Sequence, residues 1–89
     1  MDKESFRINK ENKRFELDHN GMIAYLNYED RNGIWLLTHT KVPTEIEGRG
    51  VAARLVKQSL EYMIDENIKY KAVCSYIVNF LEKNTNFQI

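Results

Sequence analysis

The chain has 89 residues, 43% of them hydrophobic, with thirteen basic side chains against thirteen acidic ones. A length of this order predicts one compact domain over residues 1–89, because so short a chain buries little more than ~60% of the surface its unfolded form exposes. Zero net charge argues against nucleic acid and anionic membranes as partners, and one cysteine with two distant histidines, His19 and His39, offers neither a disulfide framework nor a metal site.

The N-terminal stretch MDKESFRINK has no apolar signal-peptide region, and no run reaches the ~20 apolar residues of a membrane span. A cytoplasmic protein is expected. SFRINK and RFELD read as short alternating strands, Phe15 and Leu17 alternating with charge, and HNG turns the chain with His19 as a solvated turn residue. MIAYLNYE then sets Ile23, Tyr25 and Asn27 on one face against Ala24, Leu26 and Tyr28 on the other, and DRNG supplies the Asn-Gly pair of a tight hairpin. IWLLTHT is apolar until its last three residues, which predicts a strand covered on both faces with Trp35 in the core.

Pro43 cannot donate to a ladder, so residues 42 to 49 read as a loop. A helix is expected from near Gly50 to residue 66. Its apolar set is Val51, Ala52, Leu55, Val56, Leu60, Met63 and Ile64, with Arg54, Lys57, Gln58, Glu61 and Asp65 toward water. Asn67 sits where a left-handed residue ends such a helix, IKYKAVC returns to an extended pattern, and SYIVNFLEKN predicts a short last helix with Ser75 as N-cap. Strand, helix and strand in succession make a right-handed crossover with parallel strands. That topology brings Thr40 and Cys74 to one sheet edge, beside the start of the first helix, where ligands of open α/β sheets usually bind.

The loop into that helix reads EIEGRGVAARLV. A helix start has unpartnered N–H groups and the positive end of the macrodipole, so it stabilises an anion, and phosphate is the usual one. Gly48 and Gly50 let the backbone approach closely, and Arg49 between them adds a charge. The spacing fits neither the Walker nor the dinucleotide pattern. A plain tight turn into the helix is the alternative reading of the same two glycines.

This stretch resembles the acyl-coenzyme A motif of the GNAT acyltransferase superfamily. The further pieces RFE at 14–16, AYLNY at 24–28, HTKVP at 39–43, IKYKAVC at 68–74 and FLEKN at 80–84 are collinear with a minimal, single-domain N-acetyltransferase-like subfamily. The resemblance implies an α/β (α+β) fold: an antiparallel N-terminal meander, a strand-helix-strand unit with splayed parallel strands, and a short C-terminal helix. It implies acetyl-coenzyme A, or coenzyme A itself, held with its pyrophosphate at Gly48, Arg49, Gly50 and Val51. Thr40, Val42, Glu47, Ala52, Ala53 and Tyr76 complete the expected cofactor set. The other substrate is an unidentified amine acceptor, taken by a monomer or weak homodimer.

Three positions depart from the pattern. Glu45 stands where the general motif has Gln or Arg, Leu81 where members have the tyrosine that protonates the departing thiolate, and Ser75 where the subfamily has proline. The helical pair that longer members carry after their first strand is absent as well. Cys74, at a strand end before a helix, is the candidate nucleophile or acid, and His39 the candidate base. A buried structural cysteine and a loop-capping histidine are the plainer readings of these two residues. The expected function is acyl transfer to an amine; the alternative is a coenzyme A sensor or docking module without turnover.

Overall fold

Alternation in the first forty residues builds an antiparallel meander of four strands: β1 (Glu4–Asn9), β2 (Arg14–His19), β3 (Met22–Arg31) and β4 (Ile34–Lys41). The computed structural model describes residues 3–84, so both ends of the expected 1–89 domain lie outside the described residues. The β3–β4 hairpin closes on Asn32-Gly33, with both residues at positive φ as a type I′ turn demands. Helix α1 (Val51–Asp65) then crosses to β5 (Lys69–Ala72), which pairs parallel with β4, and α2 (Ser75–Lys83) follows. The five-stranded sheet keeps the order of the chain.

One sheet face and one helix stripe make most of the core, with Ile46, and Ile77 of α2, completing it. Phe15, Leu17, Ala24, Leu26, Tyr28 and Leu37 point from the strands toward α1, which returns Val51, Leu55, Val56, Leu60 and Met63. The Phe15 ring sits at the centre, within 6.0 Å of the rings of Phe6, Tyr28, Trp35 and Tyr62. Ser59 is buried in the same stripe without an unmet hydroxyl, because its Oγ donates to the Leu55 carbonyl at 2.7 Å.

Several sequence expectations change here. His19 is not a solvated turn residue: β2 keeps its alternation to the last position, which turns the imidazole inward beside Leu17 and within 2.9 Å of Glu4 Oε1. β4 is covered on one face only. Leu37 is fully buried and Trp35 stacks on Tyr28 at 3.9 Å, whereas Ile34 on the other face is 41% exposed. Ile64 falls off the buried stripe, exposed on the solvent side of α1. The α2 N-cap is Cys74 rather than Ser75, which is already helical. Asn67 does adopt φ +57 just past the end of α1.

Two irregularities open the sheet near the end of β4. Asn27 pairs with His39 and Tyr28 with Leu37, so Thr38 is an extra, bulged residue. Pairing with β5 stops at Leu37↔Ala72, where the Leu37 carbonyl accepts from both Val73 N–H and Cys74 N–H at 2.9 Å. Past that point β4 runs on to Lys41 while the other chain turns into α2. The parallel strands therefore splay, with Thr40 and Cys74 facing each other across the gap.

Candidate functional site

The glycine loop reaches α1 through a short 3₁₀ turn, Thr44–Ile46, whose one buried side chain, Ile46, pins the loop to the core. Gly48 and Gly50 both take the left-handed conformation, at φ +79 and +74, which an L side chain adopts only at a cost. Gly50 is the N-cap of α1 and supplies no side chain to it, so no side chain caps the N–H groups of the first turn. Above them is a cleft of about 230 Å³.

Most of the expected cofactor residues line this cleft. Val42 and Glu47 come from the loop, Gly48 and Gly50 from the turn, Val51, Ala52 and Ala53 from the head of α1, and Tyr76 from α2. Small side chains at 52 and 53 keep the space over the helix start open. Ile46 lines it too and was missed by the sequence reading, although an isolated apolar residue among Thr44, Glu45 and Glu47 was its signal. Arg49 is exposed outside the lining. Thr40 lies across the strand gap, its Oγ1 3.7 Å from Cys74 Sγ.

Cys74 is half-buried at the head of α2. Burial pushes its thiol up, but the backbone N–H groups of Ile77 and Tyr76 and the Thr40 hydroxyl and backbone favour the thiolate. Together they hold it below the ordinary thiol value. The structure does not bring His39 to it. Thr40 and His39 alternate along β4, so with Thr40 toward the sulfur the exposed His39 ring goes to the far face, 6.3 Å from the Tyr25 ring. Leu81, at the usual tyrosine position, packs against the core.

The far face carries its own ion network. Glu16 is 3% exposed and accepts from Arg7 Nε at 2.7 Å, Arg14 Nε at 2.6 Å and Asn9 Nδ2 at 3.2 Å. Burial raises its pKa, and these three donors more than reverse that, leaving the carboxyl below its ordinary value. Arg14 also stacks over Tyr25 at 4.9 Å. On the α1 side, Arg54 joins Glu4 of β1 through Nε and Nη2, both at 2.8 Å, while its Nη1 donates to the Arg49 carbonyl at 2.8 Å. Among the described residues no group of His, Cys, Asp and Glu is arranged to hold a metal ion, and no helix is long and apolar enough to cross a membrane.

A family profile for GCN5-related N-acetyl-transferases matches residues 14–89. Protein NATD1 of Homo sapiens is 38% identical over 48 residues, covering 54% of this chain and 42% of that protein. Protein NATD1 of Gallus gallus is likewise 38% identical over 48 residues, covering 54% of this chain and 44% of its own length. The match thus spans less than half of these curated relatives. The NMR solution structure of a GCN5-like candidate N-acetyltransferase from Staphylococcus aureus superimposes with a TM-score of 0.70 at 29% identity. That alignment covers 94% of this chain and 83% of the other.

Proposed function

Because the chain belongs to the GCN5-related N-acetyltransferase family, we propose that it binds acetyl-coenzyme A or a related acyl-coenzyme A and transfers the acyl group to an amine. The observation that supports this reading is the closeness of two features along the chain. A cleft over the glycine turn and the uncapped head of α1 is lined by Ala52, Ala53 and Tyr76, and two residues before Tyr76 stands Cys74, its Sγ 3.7 Å from Thr40 Oγ1. The residues fit the group. Backbone N–H groups and the helix dipole suit a pyrophosphate, Arg49 adds a cation at the rim, and the apolar Val42 and Ile46 suit a pantetheine arm.

Bound there, the acyl-coenzyme A supplies an activated thioester carbonyl. Cys74, held toward thiolate by the head of α2 and by Thr40, would attack an acyl carbonyl placed in the gap and take the acyl group as a thioester of its own, the carbon–sulfur bond to coenzyme A breaking and the coenzyme A thiolate leaving. An amine then attacks that thioester, the Cys74 thiolate leaves, and the amine loses its extra proton. Alternatively Cys74 keeps its proton until the amine attacks the thioester directly, and then gives it to the departing coenzyme A thiolate. His39 faces away from the sulfur, so in this reading a base role for it is confined to an amine arriving from the far face. In this reading the 89 residues work as one cytoplasmic domain, monomeric or weakly dimeric.

A second reading, a coenzyme A sensor or docking module without turnover, draws on Leu81, which packs into the core where a catalytic phenol would stand. Intact-protein mass spectrometry after incubation with acetyl-coenzyme A separates the two. A labile adduct of about 42 Da, absent in Cys74→Ala, establishes the acyl-enzyme. Cofactor retained under native spray with no adduct, and no acetylated product from a panel of amines, establishes the sensor; no binding at all refutes both cofactor readings.

A further inference from the structure

Arg54 has all three guanidinium nitrogens engaged inside the molecule. Two form a parallel fork on the Glu4 carboxylate, and the third holds the Arg49 carbonyl. Glu4 is itself fixed, since it belongs to β1 and lies 2.9 Å from the buried Nδ1 of His19 on β2. Its carboxyl is held below the usual range, first by the hydrogen bonds from Arg54 and, against the cost of burial, also by His19. A continuous chain of contacts therefore runs from the edge of the sheet, through one arginine, to a single peptide group of the glycine turn.

That peptide group joins Arg49 to Gly50. In a trans peptide the C=O and the following N–H point in opposite directions. A carbonyl drawn toward Arg54 therefore aims the Gly50 N–H away from it. Gly50 and Gly48 border the cleft, and both are in the left-handed region, where little else fixes a glycine. The close approach is itself specific to glycine, because a Cβ at position 50 would stand 3.0 Å from Arg54 Nη1.

We propose that Arg54, anchored by Glu4, is a positioning residue of the cofactor loop: it orients the 49–50 peptide so that the Gly50 N–H is presented to a phosphate oxygen. The inference rests on the cofactor reading above and adds a residue to it. Arg54 does not touch the ligand. It acts through the backbone, and the cation at the rim of the site is Arg49. Lysine cannot replace Arg54, because one ammonium does not span a carboxylate and a carbonyl with a planar fork.

Removing the anchor separates this role from simple charge. Glu4→Gln deletes a negative charge from the neighbourhood of an anionic ligand, so electrostatics alone would tighten coenzyme A binding. Positioning requires the opposite. We expect calorimetric titration with coenzyme A to show about tenfold weaker binding for Glu4→Gln and for Arg54→Lys, a change of the size one lost charged hydrogen bond produces. The amide resonance of Gly50 should shift in both variants without any ligand, while the alkylation rate of Cys74, which reports the strand gap, stays at the wild-type value. Unchanged or tighter binding in Glu4→Gln, or an alkylation rate that moves with the affinity, overturns the positioning role. Wild-type protein that binds no coenzyme A instead overturns the cofactor reading, and this inference falls with it.

Discussion

Alanine at the two glycines of the loop provides a matched pair of perturbations. Positions 48 and 50 share nearly the same backbone, φ +79 and +74, so forcing an L residue into either costs about 1–2 kcal/mol. Their surroundings differ. A Cβ at 48 meets nothing within 4 Å, whereas at 50 it crowds Arg54 Nη1 at 3.0 Å. The arginine tip is flexible and withdraws, but withdrawal stretches its hydrogen bond to the Arg49 carbonyl. With the Arg54 side chain 42% exposed, losing that bond costs about 1 kcal/mol rather than the larger value of a buried charged bond. Gly48→Ala should thus destabilise by about 1–2 kcal/mol and Gly50→Ala by about 2–3 kcal/mol. Urea unfolding followed by the fluorescence of Trp35, which stacks on Tyr28 in the native state, measures both. Equal midpoints for the two variants, or a larger loss at Gly48, would refute the argument that the arginine contact distinguishes these glycines.

Two further outcomes rest on the electrostatics. The pH profile of Cys74 alkylation should have its midpoint below the ordinary thiol value; Thr40→Val should move it up, while His39→Ala leaves it in place, and the reverse ranking would restore His39 as the partner of the sulfur. Glu16 has a folded-state pKa below its unfolded one, so its contribution is present above about pH 4.3 and disappears as pH falls through the folded value. Glu16→Gln should therefore be less stable than wild type at neutral pH and converge with it in acid, as thermal melts from pH 7 to pH 2 will report; a constant gap across that range would contradict the assignment.

Periodicity made most of the fold readable, because strands, turns and the α1 stripe are each dictated by local pattern. The left-handed Asn67 and the placing of Thr40 and Cys74 at one sheet edge followed from end signals and from the handedness of the crossover; their 3.7 Å contact did not. What was not legible depends on partners distant in sequence. His19 looks like a turn residue until Glu4 and the closed β1–β2 register give its ring a reason to be inside. Arg54 reads as a solvent-facing helix residue because Glu4, fifty positions earlier, is invisible to a helical pattern. The bulge at Thr38 leaves no trace in a run of apolar and β-branched residues, yet it sets the phase of His39 and Thr40 relative to Leu37.

The order of the sheet also says something about assembly. Four strands close through hairpins between immediate neighbours, and these contacts are cheap in loop entropy. Among the described strands the β4–β5 pairing, from Ile34↔Lys69 to Leu37↔Ala72, is the one that spans the whole of α1, so it is expected to form late and, together with α2, to open first. Cys74 lies at the junction of β5 and α2, whereas the glycine turn lies at the head of α1. A ligand that reached from Gly50 to Tyr76 would bridge the two and hold the β5–α2 unit closed. Occupancy would then show as slower hydrogen exchange across Lys69–Lys83, making the β5–α2 unit a gauge of saturation.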